Sequence, residues 1–187
     1  MKTQETDLPG VLLFQPKIFG DNRGFFKEWY RADSFPENIS LPLFVQDNFS
    51  RSQKNILRGL HYQLNRPQGK LVGVTRGAVF DVAVDVRRGS PSFGRWVGVV
   101  LDDREHRQIY IPPGFAHGFC VLSDEADVYY KCSDYYDPAS ERGVIWNDPA
   151  LAISWPCQEP AVSGKDAVHP RLNEIAVEDL PCYEAAA

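Results

Sequence analysis

The chain has 187 residues, 43% of them hydrophobic and 12% aromatic, with a formal net charge of -5. That is one domain's worth of chain, long enough to bury a core without staples and too apolar to be disordered. The acidic balance speaks against a nucleic-acid or anionic-membrane binder, which would carry a basic patch, so an anionic ligand would need a local cluster of Arg and Lys.

The first residues, Met1 to Asp7, contain no apolar stretch of signal-peptide type, and no apolar run is long enough to span a bilayer. A cytoplasmic protein is expected. Its four cysteines, Cys120, Cys132, Cys157 and Cys182, form no Cys-x-x-Cys pair and are expected to be reduced thiols. There is no internal repeat, and the only low-complexity stretch is the trailing Ala185-Ala186-Ala187. A short helix is predicted around Arg31 to Phe35. Leu57 to Gln63 reads as a strand. Leu71 to Val74 and Val79 to Val86 read as two strands joined by Thr75-Arg76-Gly77, a tight turn that predicts a hairpin. In the second run Phe80, Val82, Val84 and Val86 make one fully apolar face; Asp81 and Asp85 fall on a mixed face. Further strands are expected at Trp96 to Leu101, Gln108 to Ile111, Gly118 to Leu122 and Val128 to Cys132. A second short helix is expected to start at Ser163, with Ser163 as N-cap and Asp166 in the first turn. Short strands at this spacing predict a mainly β antiparallel sandwich or barrel with a few short helices.

Few residues can carry acid-base chemistry. His61 is either a general base facing a barrel interior or a satisfied structural histidine. Strict alternation puts it opposite Arg58, so the two share a site only if Gly59 permits a bulge or Arg58 reaches around an edge. His117 lies in Pro112-Pro113-Gly114-Phe115-Ala116-His117, a pattern similar to the second motif of cupins, where the histidine is often a metal ligand. The matching first motif has only His61, with the cation Lys70 downstream, which argues against a metal. Tyr130 shares a face with Val128 and Cys132; turned inward, it is either an amphipathic core residue or a proton donor. Asp166 could orient a histidine or complement a helix dipole. Arg23, Arg58, Lys70 and Lys165 are candidate phosphate binders. No Gly-rich phosphate loop or dinucleotide fingerprint is present, so a nucleotide would be held by side chains.

Taken in order, Phe19-Gly20-Asp21-Asn22-Arg23-Gly24-Phe25-Phe26, Phe44-Val45-Gln46-Asp47-Asn48, Leu57-Arg58-Gly59-Leu60-His61-Tyr62-Gln63, Gln68-Gly69-Lys70-Leu71-Val72, Ile111 to Phe119, Tyr130-Lys131, Ile145 to Pro149 and Ser163-Gly164-Lys165-Asp166 resemble the dTDP-4-dehydrorhamnose 3,5-epimerase family of sugar-nucleotide enzymes. The resemblance runs from about Phe14 to about Asp166 and is carried by the ordered set rather than by any one motif. It implies a cupin-like jelly roll over residues 1–187, without metal or other cofactor, acting as a homodimer on a dTDP-sugar. The implied reaction is epimerisation of dTDP-4-dehydro-6-deoxy-D-glucose at carbons 3 and 5. It further implies that His61 is the base, Asp166 its dyad partner, Tyr130 the acid on the opposite sugar face, and Lys70 the residue that stabilises an enolate. Phe19, Arg23, Glu28, Gln46, Asn48, Arg58, His117, Glu141 and Lys165 match substrate-binding positions. In such enzymes the N-terminal part commonly crosses to the partner, so Arg23 and Glu28 are expected to serve the neighbour's site.

Phe49 stands where the family pattern has a histidine in many members, and Gly73 and Ala78 stand where Arg and Glu are expected. These departures touch substrate detail and leave the catalytic set intact. Three other readings compete: a single-carbon epimerase on a related dTDP-4-keto-6-deoxyhexose, a metal-dependent cupin oxygenase, and a non-catalytic sugar-nucleotide-binding module.

Overall fold

Alternating side chains and frequent Gly and Pro breaks carry most of this chain into short strands. The computed structural model, which describes residues 1–35 and 41–183, sets them in two facing antiparallel sheets. The six-stranded sheet runs, edge to edge, β1 (Lys2–Glu5), β2 (Leu12–Gln15), β10 (Gln108–Ile111), β7 (Lys70–Arg76), β12 (Glu125–Cys132) and β5 (Gln46–Gln53). The five-stranded sheet runs β13 (Glu141–Gly143), β6 (Leu57–Gln63), β11 (Phe115–Val121), β8 (Ala78–Asp85) and β9 (Trp96–Asp102). A separate ribbon pairs β3 (Phe19–Asp21) with β4 (Gly24–Phe26). This is the cupin-like jelly roll that the motif series implied. Both expected helices shrink to single 3₁₀ turns, Ala32–Ser34 and Asp166–Val168. The trailing alanines lie outside the described residues. No helix among those described is long and apolar enough to cross a membrane.

The core between the sheets is built from Val72, Val74, Ile109 and Val128 on one side and Val79, Ala83, Leu101, Phe119 and Val121 on the other. Each of these Val, Leu, Ile and Phe side chains, fully buried, stabilises by about 1.5–3 kcal/mol. The mixed face of β8 is therefore the inner one. Its fully apolar face points outward, where Val82, Val84 and Val86 lie under Leu151, Leu172 and Leu180 of the C-terminal segment. Both faces of β8 are thus covered. The C-terminal segment is bound to the sheet edge on its way past: Leu57 N–H donates to Ala161 O at 3.0 Å, beside an Ile56–Ala161 bridge.

Two expectations are corrected. β7 and β8 are not a hairpin: β7 pairs with β10 and β12, whereas β8 pairs with β11 and β9 in the facing sheet. Gly77, at φ +77°, turns the corner; its N–H goes to Asp103 Oδ2 (2.7 Å) and that of Ala78 to Ser123 Oγ (2.9 Å), so neither closes a β-turn between the two runs. A Cβ at residue 77 would lie 2.2 Å from Glu125 O, which demands glycine there for space as well as for φ. Nor are all four cysteines reduced. Cys120 and Cys157 form a disulfide that ties β11 to the C-terminal segment, while Cys132 and Cys182 are free. The pair is 37 residues apart, brought together only by the packing of that segment with Leu57, Trp146 and Trp155.

Candidate active site

Between the sheets opens a cavity of about 530 Å³, adjoined by a lobe of about 300 Å³ with which it shares lining residues. His61, Lys70 and Tyr130 line both. Each sheet contributes one wall: His61 comes from β6 on the five-stranded side, and Lys70 and Tyr130 come from β7 and β12 on the six-stranded side.

Gly59 makes the first wall possible. The β6–β11 register shifts between the pairs His117–His61 and Phe119–Arg58, a bulge at Gly59, which stands at φ +119°. The bulge lets Arg58 and His61 line the same cavity despite their odd spacing. A Cβ on residue 59 would lie 2.6 Å from Gly118 Cα. His61 Nε2 meets Asp166 Oδ1 at 2.7 Å, and Gly59 N–H donates to Asp166 Oδ2 at 3.3 Å. Asp166 is in turn positioned by its own N–H, which donates to Ser163 Oγ at 3.1 Å. The carboxyl is buried, which works to raise its pKa, but the His61 hydrogen bond and charge and the Gly59 N–H hold it below the usual range. A carboxylate only accepts, so Nε2 carries the proton it receives, and neutral His61 keeps its lone pair on Nδ1.

The opposite wall holds Tyr130, inward on β12 with Val128 and Cys132 as its alternation predicts. Burial pushes the phenol up to about 12, assisted by Cys132 and Glu141 and opposed by Arg58, so it stays protonated at neutral pH. Burial also lowers the Lys70 ammonium, against Cys132, Asp81 and Glu141, which favour its charge. His117 Nε2 meets the fully buried Asp81 Oδ2 at 2.9 Å.

Of the expected binding residues, Arg58, His117 and Lys165 line the main cavity, and Gln46, Asn48 and Glu141 line its lobe. Arg58 Nε donates to Ser52 Oγ at 3.0 Å. Lys165 Nζ is hydrogen-bonded to Glu141, whose other contact is the Tyr136 hydroxyl at 2.6 Å. Gln46 Nε2 donates to Asn48 Oδ1 at 3.0 Å. Phe19, Arg23 and Glu28 are not part of this chain's cavity. Phe19 and Arg23 belong to the β3–β4 ribbon, which is hydrogen-bonded to neither large sheet; Arg23 is paired there with Asp21 at 2.6 Å. Glu28 lies 3.6 Å from Arg31.

Sequence reasoning missed three residues here. Ser50 lines the main cavity; the signal was its period-2 spacing from Asn48 and Gln46. Asp81, on the mixed face of β8, holds His117. His169 stands outside every motif, yet its ring centroid lies 5.5 Å from that of His61 and its Nε2 lies 3.7 Å from Asp166 Oδ1. It is three residues beyond Asp166 across a 3₁₀ turn, where positions i and i+3 eclipse.

Residues 5–174 match the family model for dTDP-4-dehydrorhamnose 3,5-epimerase. The chain belongs to this family. It is 55% identical over 168 residues to the dTDP-4-dehydrorhamnose 3,5-epimerase of Pseudomonas aeruginosa, covering 89% of this chain and 93% of that protein. Its match to the protein of the same description from Neisseria gonorrhoeae is 56% identical over 163 residues and spans 87% of this chain but only half of that longer protein. Among solved structures, the dTDP-6-deoxy-D-glucose-3,5-epimerase of Legionella pneumophila in complex with dTDP-4-keto-L-rhamnose superposes with a TM-score of 0.95 at 53% identity, covering 98% of this chain and 99% of that one. A 3'-monoepimerase from Streptomyces bikiniensis in complex with dTDP-quinovose is similar at 38% identity, with a TM-score of 0.89 and coverage of 95% and 92%.

Proposed function

We propose that this protein epimerises dTDP-4-dehydro-6-deoxy-D-glucose at carbons 3 and 5 to dTDP-4-dehydro-L-rhamnose. The observation that carries the reading is the pair of walls: a histidine with a buried carboxylate partner on one sheet, a protonated phenol on the other, and a lysine lining the space between. A C–H beside the 4-keto group is acidic only if the enolate is stabilised. His61, through Nδ1, removes the proton from one face. The Lys70 ammonium holds the developing enolate oxygen, and Tyr130 returns a proton from the opposite face, inverting the centre. The ketone is the electron sink, so this chemistry calls for no cofactor. Arg58 and Lys165 supply positive charge for the diphosphate.

Incubation with the substrate in heavy water tests this. Two deuterons in the recovered sugar support action at both carbons. One deuteron supports the single-carbon reading, which the similarity to the monoepimerase keeps in play. No exchange by folded protein overturns both. Higher identity to the 3,5-epimerases than to the monoepimerase favours two.

The working unit in this reading is a homodimer in which each β3–β4 ribbon packs on its partner. Its support is that the ribbon is strand-paired with neither large sheet and that its Phe19, Phe25 and Phe26 are all more than half exposed. If Arg23 serves the partner's cavity, mixing and re-equilibrating inactive R23A and H61A chains restores turnover, because one site of each mixed dimer is then intact. No recovery refutes the exchange.

A further inference from the structure

His169 takes no part in the chemistry above, yet it is placed with unusual care. Its imidazole occupies space left by Gly143: a Cβ there would lie 2.5 Å from His169 Nε2. That Nε2 is buried and has no hydrogen-bond partner among the described residues. It faces Asp166 Oδ1 at 3.7 Å, too far for a hydrogen bond, and Asp166 Oδ1 is already engaged by His61 Nε2 at 2.7 Å. One donor atom from each of His61, Asp166 and His169 thus lies within 4.8 Å of the other two.

We propose that His61, Asp166 and His169 form an inhibitory binding site for a zinc-like divalent cation. Two imidazoles and one carboxylate, with a fourth position for water, are a donor set that zinc takes readily. Bonds of about 2.0–2.2 Å in a tetrahedron put donors about 3.3 Å apart. The His61–Asp166 contact therefore opens by about 0.6 Å, and His169 closes on Asp166 by about 0.4 Å. Lys165, nearby, opposes a cation, but it is hydrogen-bonded to Glu141, whose carboxylate favours one. The cation and the proton compete for the same atom. Free, neutral His61 carries its proton on Nε2 and its lone pair on Nδ1. Metal bonded to Nε2 moves that proton to Nδ1, and the ring then has no lone pair with which to take a proton from substrate. Binding therefore switches the base off without denying the sugar nucleotide entry. The inhibition rests on His61 being the base; the binding does not.

The test uses the full-length protein freed of metal with EDTA and zinc chloride as the probe, with calorimetry for binding and epimerase turnover for inhibition. Expected are one zinc per chain, loss of turnover as the site fills, and full recovery on adding EDTA. H169A and H169Q keep turnover within about threefold of wild type without zinc. Both need at least ~10-fold more zinc for half inhibition, at least what loss of an outer-sphere partner costs a metal site. C182S, which removes the exposed free thiol, behaves as wild type. Equal zinc sensitivity of both His169 variants and wild type, with unchanged melting temperatures, overturns the site, as does loss of zinc binding in C182S. His169-dependent binding that leaves turnover untouched overturns the inhibition and counts against His61 as the base, while the site itself stands.

Discussion

Replacing Asp166 by Asn isolates the charge of the dyad from its shape. In the native site Asp166 accepts twice, from His61 Nε2 at 2.7 Å and from Gly59 N–H at 3.3 Å. Asn has one accepting and one donating end. With its oxygen toward Gly59, its NH₂ faces Nε2 and drives the His61 proton to Nδ1, the wrong tautomer for a base. With its oxygen toward His61, its NH₂ opposes the Gly59 N–H. Either way the imidazolium formed by proton abstraction loses a charged partner. A charge-assisted hydrogen bond of this kind is worth about 1.5–3 kcal/mol, so turnover falls about 10- to 160-fold. KM changes far less, because the Asp166 side chain is 95% buried and its carboxylate is engaged by His61 and the Gly59 N–H. The acid limb of the stability curve changes as well. Asp166 has a folded-state pKa depressed below its unfolded value, so its contribution is present above the unfolded pKa and fades as pH falls through the folded one. The melting temperature of D166N is thus below that of wild type at pH 7, and the gap narrows in acid. Steady-state kinetics with deuterium exchange, and thermal melts from pH 7 to pH 3, are the assays. A D166N enzyme within threefold of wild-type turnover refutes the dyad.

H61A retains dTDP binding by calorimetry and loses about 10²- to 10⁴-fold in turnover, the usual worth of a general base; unchanged turnover removes His61 from the mechanism. Y130F slows epimerisation more than exchange of the abstracted proton with solvent; equal losses contradict the division of labour between the two walls. G59A combines φ +119° with a Cβ 2.6 Å from Gly118 Cα and 2.7 Å from His117 O, so unfolding measurements register a loss of about 2–4 kcal/mol, and a variant as stable as wild type shows that the bulge is not needed.

The strands from Leu71 to Cys132 were legible because each has at least one apolar face, and apolar alternation is what a sequence displays. β5 was not, because its inward residues are Gln46, Asn48, Ser50 and Ser52: the strand faces a cavity where another would face the core. The hairpin expected at Gly77 failed for a related reason. A tight Gly turn between two apolar runs looks alike whether the chain folds back within one sheet or crosses to the other, and only the partners of β7 and β8 decide. The Cys120–Cys157 pairing likewise depends on where an irregular C-terminal segment packs, which no spacing encodes. The residues that the two walls bring together, His61, Lys70, Tyr130 and Asp166, were legible one by one through the motif series. His169 was not, since it stands outside every motif and acquires neighbours only through the 3₁₀ turn at Asp166.

The net charge of -5 said nothing about an anionic ligand, and the site explains why. The cations that line the cavity, Arg58, Lys70 and Lys165, are interleaved with carboxylates. Lys165 is bound to Glu141, Asp81 and Glu141 favour the charge on Lys70, and Asp166 faces His61. Unpaired cations crowded into a half-buried cavity would repel one another and pay desolvation as well, so the resting site carries its own counter-ions. A diphosphate entering such a site exchanges partners rather than filling a bare positive field: to reach Lys165 it must compete with Glu141. Affinity is then a difference between two ion pairings, and that difference, rather than the sum of local positive charge, sets how strongly the sugar nucleotide is held.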